Sequence, residues 1–261
     1  MKNQISCANN SATLEDRFVA FIDILGFRDL VQRMTSGELE LFKTVKTALE
    51  SILENEARNY DPYTRISHTR QMTAFSDCIV ISDLADQFSG VLFAARDLYI
   101  RLLLGGILCR GAIARGLTYH SGRVVFGEGL IRAYELESQA AIYPRIIVTD
   151  EVQKRLAESD AASPLNIKFS PILARDHDGL WFIDPFAHPR TWTAYRPDEN
   201  PEEVKSQAFN TVRKRIVDGY TRAQQKIPLN LGQIAKHRWL AQRFNTTLSA
   251  ERRTEPTQIE V

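Results

Sequence analysis

The first strongly patterned segment of the chain is Phe18-Val19-Ala20-Phe21-Ile22, an unbroken apolar run that predicts a strand buried on both faces. Gly26-Phe27 leads into a helix near 27–34, which Ser36-Gly37 breaks. From Glu38 to about Ala57, Leu41, Val45, Leu49, Ile52 and Leu53 recur at helical spacing. Thr64 to Thr73 is polar but β-leaning, and Ala74-Phe75-Ser76-Asp77-Cys78-Ile79-Val80-Ile81 reads as strand, two-residue turn, strand. Residues 86–104 predict a second amphipathic helix, ended by Gly105-Gly106. Ile107 to Tyr119 reads as a long strand, Val124-Val125-Phe126 as a short one, and Gly127 as the start of a helix to about Ala140. Arg145 to Thr149 predicts another strand, and Asp150 a cap for a short helix from Glu151. Strands near 166–173 and 180–183 complete the compact part at Asp184-Pro185.

Strands and helices alternate, but consecutive strand pairs read as hairpins. The predicted fold is therefore α+β, a mixed β-sheet flanked by helices, with a C-terminal helical extension. Pro201-Glu202-Glu203 opens the extension, with Val204, Ala208, Val212 and Ile216 on one helix face, and a last helix covers about Leu231 to Phe244. The division expected is an N-terminal tail (1–16), a catalytic domain (17–185), a linker (186–200), helices (201–245) and a polar tail (246–261).

Composition narrows the class. The 261 residues are 44% hydrophobic and 25% charged, ordinary values for a globular chain long enough for one large domain or a domain plus an extension. The net charge of +1 gives no bulk field to attract nucleic acid or anionic lipid, so neither is an expected partner. No apolar run approaches the roughly 20 residues of a membrane span. The first residues lack the apolar core of a signal peptide, and Cys7, Cys78 and Cys109 form a sparse set with no CxxC, so a cytoplasmic protein with reduced thiols is expected. His68, His120, His177, His188 and His237 show no metal-ligand spacing. Arg213, Lys214, Arg215, Arg222 and Lys226 read as a solvated helix face, and Trp181 and Trp239 as packing residues.

The candidate chemistry lies in two acids. Asp23 ends the first apolar run, and Asp77 sits at the tip of the predicted hairpin. An ionised carboxylate there is costly unless something positive satisfies it, and the nearby chain offers Arg17 and Arg28. Helix capping explains Asp23 taken alone, and turn chemistry explains Asp77. Together, two acids at the tips of apolar strands point to a shared divalent metal and to phosphate chemistry. Arg110 and Arg115 have odd spacing on one strand and so face opposite sides; one is free to face a substrate and the other reads as a structural ion pair.

These segments carry a resemblance. Phe21-Ile22-Asp23-Ile24-Leu25-Gly26-Phe27, Phe75-Ser76-Asp77, Arg110 to Gly116, and Gly127 through Val148 resemble, in order, the core motifs of class III nucleotidyl cyclases over roughly residues 17–184. Ala20 to Phe27, Ala133-Tyr134-Glu135-Leu136-Glu137-Ser138 followed by Pro144-Arg145-Ile146, and Lys236-His237-Arg238-Trp239-Leu240 are similar to the bacterial pyrimidine cyclases of Pycsar anti-phage systems. The resemblance implies two divalent cations, Mg2+ or Mn2+, held by Asp23, the Ile24 carbonyl and Asp77. It also implies a homodimer with active sites at the interface. Backbone N–H groups of Leu25, Gly26, Phe27 and Arg28 at a helix start are expected to hold the β- and γ-phosphates.

Departures from the purine cyclases are informative. Their charged base selector, four residues before the second metal aspartate, falls on Thr73, and its partner position falls on Val124. Their transition-state Asn falls on Ile131 and their Arg on Glu135; Arg132, one turn earlier on the same face, is the candidate replacement. Tyr134 either stacks on a base or packs in the core. A site without the purine selectors is either rebuilt for a pyrimidine or decayed, and retention of both acids favours the first. The expectation is a uridylate cyclase, making cyclic UMP and pyrophosphate from UTP as a second messenger for a separate effector protein. A cytidylate cyclase using CTP and an inactive nucleotide-binding regulator are the alternatives.

Overall fold

A computed structural model of the chain describes residues 13–57, 69–162, 170–187, 200–250 and 257–260. Expectations placed on the first twelve residues, on the approach to the hairpin before Thr69, on residues 163–169 and on the linker at 188–199 lie outside the described residues, as do the side chains of Ile52 and Leu53.

The apolar run forms the central strand β1 (Glu15–Ile24), where Phe18, Val19, Ala20, Ile22 and Ile24 are each at most 1% exposed. It lies antiparallel between β3 (Cys78–Leu84), whose hairpin partner is β2 (Gln71–Phe75), and β4 (Cys109–Ser121). The sheet continues through β6 (Ile146–Val148), β8 (Trp181–Ile183) and β7 (Leu173–Arg175), in the order β2-β3-β1-β4-β6-β8-β7; β5 (Val124–Gly127) pairs with the far end of β4. Only β4 and β6 run parallel among these pairs, so the sheet is mixed, as the hairpins predict. The close β1–β4 approach needs Gly111, since a Cβ there would stand 2.6 Å from the Phe21 carbonyl oxygen.

Even-numbered residues of β1 point into the main core. There they meet α3 (Ser89–Leu104), α1 (Phe27–Thr35) and α2 (Leu39–Ala57), the last through Leu41, Val45, Ala48 and Leu49. The opposite face carries α4 (Glu128–Ala140), while α5 (Asp150–Ala161) packs beside β6. Asp150 is the first helical residue, with Thr149 at the cap position and making no side-chain cap bond, so the predicted Asp150 cap is corrected by one residue. Of the strand predicted near 166–173, residues 166–169 lie outside the described residues; Ser170–Ile172 form a 3-10 turn, and β7 follows it.

The C-terminal extension is a helix pair, α6 (Pro201–Gln225) and α7 (Leu231–Ala250). Its second helix runs six residues beyond Phe244 because Leu248 is still buried and Asn245 exchanges hydrogen bonds of 2.8 Å with both backbone groups of Ile259. Phe209, Val212, Ile216, Leu240 and Phe244 join Ile100 and Leu103 of α3 and Phe182 and Phe186 near β8 in one apolar cluster. Of the predicted solvated basic face, Lys214, Arg215, Arg222 and Lys226 are exposed, Lys214 pairing with Asp218 at 2.7 Å, while Arg213 is half-buried and its Nε donates to the Thr257 carbonyl at 2.7 Å.

A buried ionic knot fastens this extension to the sheet. Arg145 is fully buried and pairs with Asp176 and Asp178. Asp176 also accepts Trp239 Nε1 at 2.8 Å, and Trp239 stacks on Tyr143 at 5.7 Å. Burial pushes the Asp176 carboxyl up, but the bonds from His177 and Trp239 and the Arg145 charge outweigh it and hold it below its ordinary value. Arg243 ties α7 to Asp184 at 2.5 Å. Thus Pro144-Arg145 and the Lys236–Trp239 stretch, far apart in sequence, share a structural lock. Arg145→Ala would leave Asp176 with too little compensation, so chemical denaturation should show a loss of about 3–5 kcal/mol.

Candidate active site

The site forms where β1 ends. The register sets Asp23 opposite Cys78 on one side and opposite Arg110 on the other. The tip of the β2–β3 hairpin is the two-residue turn Ser76-Asp77, with Ser76 at φ 57°. The Ile24 N–H donates to the Asp77 carbonyl oxygen at 2.9 Å, which pins this turn against the end of β1. Asp23, Asp77 and Cys78 consequently bring one ligand atom each within 4.8 Å of one another.

Two carboxylates at that separation repel by about 3 kcal/mol at an effective dielectric constant of about 20. Burial raises the Asp23 carboxyl above its ordinary range; Arg110 pulls it down and Asp77 pushes it further up. The partner of Asp23 is Arg110, Nε to Oδ2 at 3.3 Å, and neither of the sequence neighbours expected to serve. Arg17 is committed elsewhere, to Glu15 at 2.7 Å, the Thr69 carbonyl at 3.0 Å and Ser82 at 3.2 Å, and Arg28 is exposed. Arg110 is nearer still to Glu137 of α4, at 2.6 Å, and burial likewise raises the Glu137 carboxyl. Arg115, on the other face, is held by Asp16 and Glu151 at 2.6 and 2.5 Å, the structural pair that the odd spacing predicts.

The donor set suits a hard cation. Asp23 and Asp77 supply carboxylate oxygens, the preferred ligands of Mg2+ and Mn2+. Cys78, by contrast, is pushed up to about 11 by burial and by the two acids, so it stays a neutral thiol at pH 7. The shared charge of Arg110 leaves Asp23, Asp77 and Glu137 under-compensated, the imbalance that a bound cation relieves.

Directly after Asp23 the chain turns into α1. Gly26 stands at the N-cap with φ 71°; a Cβ there would meet nothing within 4 Å, so backbone conformation rather than crowding calls for glycine. Of the four amides expected to hold phosphate, that of Leu25 already donates to the Leu108 carbonyl at 2.8 Å. The set therefore contracts to Gly26, Phe27 and Arg28.

Thr73 lies on β2 at the position expected to read the base, and its hydroxyl is fixed. It donates to the Gly122 carbonyl at 2.7 Å and faces His120 Nε2 at 2.9 Å. Ser82 Oγ lies 2.8 Å from His120 Nδ1 and accepts from Arg17. One proton order satisfies this chain: Ser82 donates to Nδ1, and Nε2–H donates to Thr73. What Thr73 has left for a ligand is a lone pair.

The other expected residues lie on α4 and β5. Arg132 is exposed, pairs with Glu128 at 2.6 Å and donates to the Arg115 carbonyl at 3.2 Å. Tyr134 is 54% exposed with its ring edge-on to Phe21 at 5.4 Å, a half-packed position between the two alternatives. Val124 and Ile131 are exposed too, as are Phe75, Leu117 and Phe126. Glu137 and Lys236 were not singled out for the site, because each reaches it only through tertiary packing. Lys236 of α7 is close enough to interact electrostatically with both Asp23 and Arg110.

No protein-family model matches the chain, and no curated protein matches it. Solved structures do. Two structures of a bacterial light-regulated adenylyl cyclase are similar at 13% and 14% identity with TM-scores of 0.40 and 0.41. The matches cover 76% and 77% of this chain, and 57% and 98% of those chains. The adenylyl cyclase CyaB from P. aeruginosa is similar at 12% identity and a TM-score of 0.36, covering 72% of this chain and 99% of that one. No helix among the described residues is long and apolar enough to cross a membrane.

The His120 relay makes a prediction. Burial, reinforced by Arg17, pushes the imidazole down from 6.5 to about 4. A base with a depressed folded pKa adds stability above its unfolded pKa, and that stability is lost as pH falls toward the folded value. The denaturation midpoint should therefore drop between about pH 6.5 and pH 4, with His237, also pushed down to about 4, acting in the same direction. His120→Gln should flatten this limb; an unchanged pH dependence would mean that His120 is protonated in the fold.

Proposed function

We propose that this protein is a metal-dependent pyrimidine nucleotide cyclase that converts UTP to 3′,5′-cyclic UMP and pyrophosphate. The observation that carries the reading is the convergence of Asp23 and Asp77, within 4.8 Å, directly before the start of a helix whose N-cap is Gly26. Such a constellation suits in-line displacement at a triphosphate, in which the ribose 3′-oxygen attacks the α-phosphorus and pyrophosphate leaves. Mg2+ or Mn2+ bound by Asp23, Asp77 and the Ile24 carbonyl would neutralise phosphate charge and ease loss of the 3′-hydroxyl proton.

The chain's own groups divide the remaining work. The amides of Gly26, Phe27 and Arg28 bind phosphate oxygens. Arg110, clamped by Glu137, orients Asp23 and limits the field of the acids. Thr73, its proton spent on Gly122, accepts from the base; uracil N3–H and the cytosine N4 amine both suit that lone pair, while uracil O4 does not. CTP is therefore the alternative substrate. The exposed apolar residues on α4, β5 and the hairpin tip support a homodimer, in which α4 of one protomer would bring Arg132 to the acids of the other. Cyclic UMP would then act as a second messenger in bacterial anti-phage defence, read by a separate effector.

One observation favours an inactive regulator: Arg110 already occupies one side of Asp23, while Ile131 and Glu135 stand where polar and basic groups are expected. Incubation with each of the four ribonucleoside triphosphates and manganese, followed by mass identification of products, separates the readings. Cyclic UMP is the expected product, cyclic CMP would support the alternative, and no product from any triphosphate would support the regulator. Asp77→Asn should abolish product while leaving the fold intact. Near-normal turnover by that variant would remove Asp77 from the site.

A further inference from the structure

Arg110 meets two carboxylates through one nitrogen. Its Nε carries a single N–H, and that N–H is directed to Asp23 Oδ2 at 3.3 Å. Glu137 Oε1 stands closer, 2.6 Å from the same nitrogen, yet it is buried and accepts no hydrogen bond. The other Glu137 oxygen accepts from the Ser138 hydroxyl at 3.1 Å. One donor therefore serves two acids, and the more buried of the two goes without. A buried carboxylate oxygen left unsatisfied is costly, so Glu137 holds a standing demand for the bond that Asp23 receives.

The surroundings of Glu137 form a seat for the guanidinium. Glu137 lies in the last turn of α4, with Ala141 at the C-cap, and Arg110 Nη1 donates to the Ala141 carbonyl at 3.3 Å. A helix C-terminus carries partial negative charge and favours a cation. Away from Asp23, Arg110 thus keeps a carboxylate, a carbonyl and a helix end, and reaching them takes a reorientation of its side chain with no movement of the strand. We infer that Arg110 is an internal stand-in for a cation at Asp23, and that Glu137 is the positioning residue that receives its Nε–H when a divalent ion takes its place. The inference rests on the reading of Asp23 and Asp77 as metal ligands, and it gives that site a built-in counter-charge that yields on loading. Arg110 beside Asp23 is then the mark of an unloaded site rather than of a decayed one. Its displacement is offset by satisfaction of Glu137 Oε1.

The test is a double-mutant cycle on Mn2+ affinity, read on the metal-free full chain without nucleotide, for the wild type, Glu137→Gln, Arg110→Gln and the double variant. Glu137→Gln should weaken binding by about tenfold, because the amide draws the guanidinium less and leaves it on Asp23. Arg110→Gln should tighten binding by about tenfold, since the competitor is gone. In the Arg110→Gln background, Glu137→Gln should change the affinity by less than about twofold, because no guanidinium remains to be received. Circular dichroism establishes that each variant folds. Should Arg110→Gln alone fail to fold, the double variant decides: it binds Mn2+ more tightly than the wild type if Arg110 is handed over, and no more tightly if Glu137 contributes only negative charge. Equal weakening by Glu137→Gln with and without Arg110, or no tightening by Arg110→Gln, would overturn the handover and leave the metal site standing. Absence of Mn2+ binding in all four chains would overturn the metal reading as well.

Discussion

Two carboxylates forced together at the ends of neighbouring strands are the constraint around which the rest of this structure is arranged. Their repulsion and partial burial oppose folding, and the sheet tolerates them because each is placed by interactions that do not depend on its charge. Asp23 is carried by a β1 whose neighbours are buried on both faces, and Asp77 by a hairpin turn tied to the Ile24 amide. Arg110 supplies charge, yet it is shared with Glu137 and sits closer to it. The outcome is a rigid pair of acids with an unfilled demand for positive charge, which is what a cation site requires before the cation arrives.

The surroundings divide that demand between two regions. On the α4 side, Arg110, Glu137 and Asp23 make a closed triad that fixes the geometry of the acids. On the α1 side, the helix start and the cations of the C-terminal pair make an open, positive hollow. Half-burying the acids next to this hollow places opposite charges within a few residues of chain. The knot of Arg145, Asp176 and Trp239 keeps α7 seated, so a lock distant from the acids still governs where Lys236 stands.

Local pattern made much of the scaffold legible. Phe18–Ile22 announced a doubly buried strand, Ser76-Asp77 a two-residue turn, and Gly105-Gly106 the end of α3, because each of these signals is set by residues within a few positions of one another. The acids themselves were visible as charges out of place in apolar runs. What escaped was set by register and packing. Arg110 lies 87 residues from Asp23 and meets it only because the strands pair at that position, so searching the nearby chain pointed to Arg17 and Arg28 instead. The reach of α7 past Phe244 depends on Asn245 finding Ile259, and the role of Lys236 depends on how α7 docks; neither leaves a mark in local sequence.

The central claim is that Asp23 and Asp77 jointly grip a divalent cation. Titration of the metal-free protein with Mn2+, followed by electron paramagnetic resonance of the free ion, tests it without any substrate. Binding by the wild-type chain that is lost in both Asp23→Asn and Asp77→Asn, each folded by circular dichroism, is the predicted result. Undiminished Mn2+ binding in either variant, or none in the wild-type protein, would contradict the account.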